Sequence, residues 1–374
     1  MHENGTIVFF LCGDVMTGRG IDQVLPWPAP PELRERYIQD ANDYVRLAET
    51  ANGPIARPVS YEHIWGEALP ELVHADFRIV NLETSVTAGG EFWPRKPVHY
   101  RMHPNNIDCL TVAGIDCCSL ANNHVLDFGY PGLIETLETL DGASLHRTGA
   151  GRDAGEARKP AILEKPAQPR VLVFGVGSQT SGIPPEWAAT NENPGVFLLD
   201  DFSSRAAELL LEEIDAVRRE SDRVIVSIHW GSNWGYEISE EQIVFAHDLI
   251  DGGVDIIHGH SSHHVRPLEV YRDRLILYGC GDFITDYEGI GGYERFRGDL
   301  GLMYFARIRA DDGALTDLRM VPMQSNRFSL YRVEGADVEW LCNELNFEGR
   351  YLDTPIHLND DATLSVELAK IPQK

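Results

Sequence analysis

Lysine is scarce in this chain, five in 374 residues against 27 arginines, and the 32 basic residues face 58 acidic ones. The formal charge of −26 speaks against nucleic acid or an anionic membrane surface as a partner, because phosphate backbones attract basic faces. Long hydrophobic runs are lacking too. The apolar start Ile7 to Leu11 is far short of the about 20 residues a membrane helix needs. No basic stretch precedes it as in a signal peptide, so the expectation is a cytoplasmic protein without a membrane anchor. None of the six cysteines shows CxxC spacing, which speaks against a thiolate metal site, and a chain this long needs no disulfide framework. There is no Gly-x-Ser-x-Gly elbow and no Walker-type loop, and Gly175-Val176-Gly177-Ser178 reads as a turn.

What is present is a succession of short Val/Ile/Leu-rich runs alternating with helical periods, the pattern of an α/β fold. Strands are expected over Ile7–Cys12, Phe77–Asn81, Cys117–Ala121, Val171–Val176, Val224–His229, Val254–His258, Leu268–Tyr271 and Leu275–Gly279. Helices are expected over Tyr61–Val73, Pro104–Ala113, Tyr130–Leu140, Phe202–Glu220 and Ser239–Asp251. Residues 1–335 read as one domain with irregular insertions near 22–60 and 178–195. Residues 336–374 read as an extension packed on it, with a helix over Ala336–Leu345.

Four histidines crowd into seven residues, His258, His260, His263 and His264, just after an apolar run. Neutral imidazole is the commonest side-chain metal ligand, whereas charged histidines this close repel one another. Other strand ends carry donors as well: Asp14, Glu83, Asn123 with His124, and His229. Ligands bind beyond the carboxyl ends of strands in open α/β sheets, so such residues converge in space though scattered in sequence. Carboxylate, amide and imidazole without thiolate suit Zn, Mn or Fe, and a bridging carboxylate such as Glu83 allows two divalent ions sharing a hydroxide nucleophile. His124 is the candidate general acid or anion contact. Asp127 either orients its ring or serves the turn at Gly129.

In this order, Gly13-Asp14-Val15-Met16 with Gly18-Arg19, Asn81-Leu82-Glu83, Ala121-Asn122-Asn123-His124 with Asp127 and Gly129, His229-Trp230-Gly231, and Gly259-His260 with His263 resemble the CapA family, the poly-gamma-glutamate capsule synthesis proteins. The resemblance spans about residues 7–310, and Asp282 stands where the family's closing strand usually has asparagine. That family is similar to calcineurin-like metallophosphoesterases. The resemblance therefore implies a four-layer α/β/β/α sandwich with a dinuclear site, with Asp14, Glu83, Asn123, His229, His260 and His263 as metal ligands and His124 as the catalytic histidine. Met16 stands where the phosphoesterase pattern Asp-x-His has its histidine, and Asn81-Leu82-Glu83 replaces Gly-Asp-x-x-Asp.

Arg19 at the expected mouth of the site, Arg95 and Arg101 with Lys96 in the loop after Glu83, and Arg266 after the histidine run are candidate contacts for an anionic group. The expected function is a metal-dependent hydrolase acting on a phosphoester or a gamma-glutamyl-type amide of an anionic, polyglutamate-like substrate. The alternative is a non-catalytic assembly or export component of a capsule synthesis complex.

Overall fold

Successive side chains of a strand point to opposite faces, and the first strand shows what that does here. Ile7, Phe9 and Leu11 enter one core while Val8, Phe10 and Cys12 enter another. A computed structural model of the chain describes residues 5–368. Its principal strands, in chain order, are β1 (Thr6–Val15), β2 (Phe77–Leu82), β3 (Cys117–Ser119), β4 (His146–Thr148), β5 (Val171–Ser178), β6 (Arg223–His229), β7 (Ile256–His260), β8 (Leu268–Tyr271), β9 (Arg274–Leu277), β10 (Asp282–Ile284), β11 (Leu300–Arg309) and β12 (Leu315–Asn326). The principal helices are α1 (Arg19–Val24), α2 (Asn42–Asn52), α3 (Gly129–Gly142), α4 (Ser204–Asp215), α5 (Glu240–Asp251) and α6 (Ala336–Glu348).

Two larger sheets organise the molecule. In the first, β12, β11, β1, β2, β3 and β4 lie side by side, parallel from β1 to β4 and antiparallel across β1, β11 and β12. In the second, β5, β6, β7 and β9 run parallel, and β8 closes the edge antiparallel to β9. Val171 and Val173 of β5, Ile225 of β6 and Ile256 of β7 share one core with the inner face of the first sheet. Leu172, Phe174, Val226 and Ile257 face the other way, onto Leu210 of α4 and Phe245 and Leu249 of α5. Helices α1, α2 and α3 cover the outer face of the first sheet through Ile21, Val45, Leu133 and Leu137.

Several expected elements change character. The apolar period over 61–73 yields a 3₁₀ helix, Gly66–His74, because Pro70 inside it lacks the amide hydrogen that a continuous α-helix needs. The expected helix over 104–113 splits into Pro104–Asn106 and Asp108–Thr111. The region 22–60 contains the helix α2, which buries only Tyr44, Val45 and Ala48. Within 178–195 lie two short 3₁₀ turns, Gln179–Ser181 and Pro185–Trp187, and Trp187 is fully buried, so this stretch is packed against the body of the protein. Beyond residue 335, Val338, Leu341 and Leu345 of α6 enter the core between the sheets, and strands Ile356–Leu358 and Leu364–Val366 extend the first sheet beyond β12. All six cysteines are buried free thiols. Among the described residues no helix is long and apolar enough to cross a membrane.

Candidate metal centre

The parallel registers align the donor-bearing strand ends. His229 at the end of β6 pairs with His260 at the end of β7, and Asp14 pairs with Asn81 of β2 and with Asp282 of β10. Gly13 permits this convergence: a Cβ there would lie 1.7 Å from the Gly281 carbonyl oxygen, so only glycine lets β1 bulge past β10.

Asp14, His229 and His260 form a buried group that could hold a metal ion, their ligand atoms all within 4.8 Å of one another. Asp14 Oδ1 accepts a hydrogen bond from Asn81 Nδ2 at 2.7 Å, while Oδ2 is buried with no hydrogen-bond partner. The Nδ1 atoms of His229 and His260 lie 2.8 Å apart. His229 Nε2 is 3.1 Å from Asn123 Oδ1 and 3.9 Å from Glu83 Oε1. Asp14, Glu83, Asn123, His229 and His260 therefore meet at one place, although His229 and Asn123 are 106 residues apart in sequence.

Burial suppresses charge on Asp14, Glu83, His229 and His260. It holds His229 and His260 well below the usual imidazole range, which leaves them neutral. Burial, followed by the neighbouring Asp14 carboxylate, pushes Glu83 well above the carboxylate range, and burial raises Asp14 as well. Two buried carboxylates and two neutral imidazoles at one point fit a divalent cation, which would return the carboxylates to their ionised form and give the unpartnered Asp14 Oδ2 a ligand role.

His124 lies against this group, its Nε2 3.8 Å from Glu83 Oε1. Its Nδ1 is 2.7 Å from Asp127 Oδ2, and its ring stacks on Tyr100 at 3.7 Å and 18°. Asp127 also accepts the Tyr100 amide at 2.6 Å, and its Oδ1 takes Lys96 Nζ at 2.7 Å. The ammonium of Lys96 sits 3.0 Å from His124 Nδ1. Burial first, then the positive charge of Lys96, keeps His124 well below the usual imidazole range. Lys96, read in sequence only as one of several local cations, is the basic residue of its loop that reaches the site.

His263 stands beside the three-residue group and outside it. Its Nδ1 is 3.0 Å from Asp282 Oδ1 and its Nε2 2.9 Å from Asn233 Nδ2, so both ring nitrogens are engaged. Asp282 is the residue that strand spacing alone did not single out; its charge raises both Asp14 and Glu83. His258 binds the Cys12 carbonyl and Ser227, and His264 accepts the Gly235 amide, which gives both a structural role.

The arginines are placed differently from expectation. Arg19 is 4% exposed, and its guanidinium is held by both oxygens of Asp286, by Glu35 at 2.9 Å and by the Tyr44 hydroxyl at 2.8 Å, so its donors are spent inside the protein. Arg266 is also buried and binds the Ser232 carbonyl at 2.7 Å. Arg101 binds the Pro30 carbonyl and stacks 4.4 Å over the Phe128 ring. Arg95 is exposed, at φ +64°. A buried arginine needs a local counter-charge or carbonyl, which Arg19 finds in Asp286 and Glu35 and Arg266 in the Ser232 carbonyl.

Comparison with known proteins accords with this geometry. The family described as bacterial capsule synthesis protein PGA_cap matches residues 8–287. The chain is 47% identical over 363 residues to a probable polyglutamine synthesis accessory protein of Mycobacterium tuberculosis, covering 96% of each chain. It is 26% identical over 277 residues to the PGA biosynthesis protein CapA of Bacillus subtilis, covering 73% of this chain and 62% of that one. To the capsule biosynthesis protein CapA of Bacillus anthracis it is 25% identical over 329 residues, covering 86% and 68%. The chain therefore belongs to the PGA_cap family of bacterial capsule synthesis proteins, the CapA family that its motifs resemble.

Proposed function

We propose that the chain is a metal-dependent hydrolase of capsule or poly-glutamate metabolism, built on a four-layer α/β/β/α sandwich of metallophosphoesterase type. The layer count is supported by the three cores: helices on the first sheet, sheet on sheet, and helices on the second sheet. The observation that carries the catalytic reading is the buried Asp14 oxygen without a partner beside two neutral, converging imidazoles. Asp14, His229 and His260 would hold one divalent ion, Zn, Mn or Fe. Glu83 and Asn123 are the donors available to a second, and His263 at the rim would join them only by giving up its contact with Asn233.

Such ions supply Lewis acidity and lower the pKa of coordinated water. The chain's own residues do the rest. Asp127 and the Tyr100 ring fix the orientation of His124, whose Nε2 faces the site next to Glu83; with Nδ1–H held by Asp127, Nε2 is placed to take a proton from the attacking water and, once protonated, to pass it to the leaving group. Lys96 ties Asp127 in place and brings positive charge to an anionic substrate. The substrate class is a phosphoester or a gamma-glutamyl-type amide.

Metal content by elemental analysis, paired with turnover, tests this. Asp14→Ala, Glu83→Ala and His229→Ala are expected to lose metal and activity together. His124→Ala is expected to keep its metal and lose 10²–10⁴-fold in rate, the usual contribution of a general acid. Protein that takes up no stoichiometric metal after reconstitution would overturn the proposal.

The naming of a 47% identical relative as an accessory protein favours a second reading, a non-catalytic component of a synthesis complex. Full capsule or polymer production by cells carrying His260→Ala would select it.

A further inference from the structure

A cavity of about 550 Å³ opens beside the metal centre, and His263 and Asp282 belong to its wall. The same Asp282 is paired in register with Asp14, so the cavity and the metal centre share an edge. Its aromatic side is built by Trp234, Tyr287 and Tyr293. Tyr293 lies flat on Trp234 at 4.0 Å and 2°, and Tyr287 meets the His263 ring edge-on at 5.3 Å. Tyr293 is half exposed, so its outer face is open to a ligand.

The charges in the cavity have one dominant sign. Asp282, Glu288, Glu294 and Asp299 line it against a single arginine, Arg297. That arginine is already spent: Nε and Nη2 bind the two oxygens of Asp299 at 2.8 and 2.9 Å, and Nη1 binds Asp337 at 2.7 Å. Asp299 is paired with Arg297 and Asp282 with His263, which leaves Glu288, held by the Arg327 and Phe328 amides, and the rim residue Glu294 as carboxylates without a cationic partner; a polyanion entering here meets their net negative charge and no free cation. An alkylammonium group meets the opposite, carboxylate attraction together with the electron-rich face of Tyr293. Arg19 and Arg266, the expected contacts for an anionic group, are buried on other elements and do not line this cavity.

We propose that this cavity binds an ammonium-bearing part of the substrate, so that the portion lying next to the metal centre is cationic and the specificity of the site is for an amine-containing molecule. The proposal rests on the hydrolase reading above for the identity of the neighbouring centre. The binding itself depends only on the cavity.

Isothermal titration calorimetry on the full chain, metal-free and Mn²⁺-loaded, tests it with two probes, spermidine and tri-L-glutamate. Spermidine is expected to bind at least tenfold more tightly than tri-L-glutamate. The double variant Tyr293→Ala, Glu294→Gln removes the open aromatic face and one rim carboxylate, and is expected to weaken spermidine at least tenfold. Gln324→Arg, on another segment of the wall, puts a free cation into the cavity; it is expected to weaken spermidine likewise and to tighten tri-L-glutamate. Tri-L-glutamate binding as tight as spermidine would overturn the proposal. Spermidine binding that neither variant changes is adsorption to the acidic surface and overturns it equally. Metal content measured on the same preparations separates the two readings. Amine binding by a protein that takes up no metal removes the hydrolase reading alone, whereas metal uptake without amine binding removes the cavity's assignment alone.

Discussion

Asp22 shows how burial at a single residue writes a pH dependence into the whole chain. Its Oδ1 accepts the His103 amide and Asn106 Nδ2, both at 2.8 Å, and its Oδ2 accepts the Ala29 amide at 2.6 Å. Burial outweighs these bonds and pushes the carboxyl up to about 6 from 3.8. The folded protein thus holds a proton that the unfolded chain has released between those two values. The associated stability is complete below 3.8 and is lost as pH rises through about 6, a change on the order of 3 kcal/mol. Asp22→Asn carries no proton to lose. Its unfolding free energy in urea is expected to decline less steeply between pH 4 and 6 than the parent's, the remaining slope coming from Asp14 and Asp127, which burial also raises to about 6, and a constant offset reflecting the altered bond to Ala29. Equal slopes in the two proteins would refute the assignment. Arg19 shows the opposite limit, where sequence reasoning cannot see the controlling partner. Its Asp286 counter-ion is 267 residues away, and only the fold reveals that the guanidinium is already engaged.

Helix α5 ties secondary structure to the candidate metal centre. Ser239 caps it with a reciprocal pair of hydrogen bonds, its Oγ accepting the Gln242 amide at 3.2 Å while its own amide donates to Gln242 Oε1 at 3.3 Å. Phe245 and Leu249 then pack on the outer face of the sheet whose strands β6 and β7 end in His229 and His260. Ser239→Ala is expected to cost about 1 kcal/mol, read as a lower urea midpoint with unchanged m-value, and a midpoint equal to the parent's would contradict it. This helix was legible because an N-cap, a matching glutamine and an apolar period coincide. The strands were legible for a related reason: buried parallel strands leave unbroken apolar runs, and the donors follow directly on their ends. Helix α2 was not, since it buries only three residues within a segment rich in proline and charge. Pro70 and the short, interrupted period over 104–113 misled in the other direction, because apolar spacing does not reveal where the backbone stops bonding as an α-helix.

At the scale of the molecule, the two sheets and the C-terminal segment close one core together. Val338, Leu341 and Leu345 of α6, with Ile356 and Leu364 beyond it, are buried alongside Phe9 and Leu11 of β1, Leu302 of β11 and Leu277 of β9. Strand Leu364–Val366 also pairs with β12 at Arg319 and Met320, which covers an edge that would otherwise offer open backbone groups. Each of these apolar side chains contributes roughly 1.5–3 kcal/mol by burial. Five of them together approach the ~5–15 kcal/mol that holds a typical domain folded. Ending the chain at Gly335 is therefore expected to uncover the inter-sheet core and the edge of β12 at once, and to give aggregated or molten protein without a cooperative melt. Near-UV circular dichroism and thermal unfolding of the truncated chain decide the matter. A soluble product that melts sharply within a few degrees of the parent would show that the two sheets close their core without residues 336–374, and that the candidate metal centre at their strand ends does not depend on them.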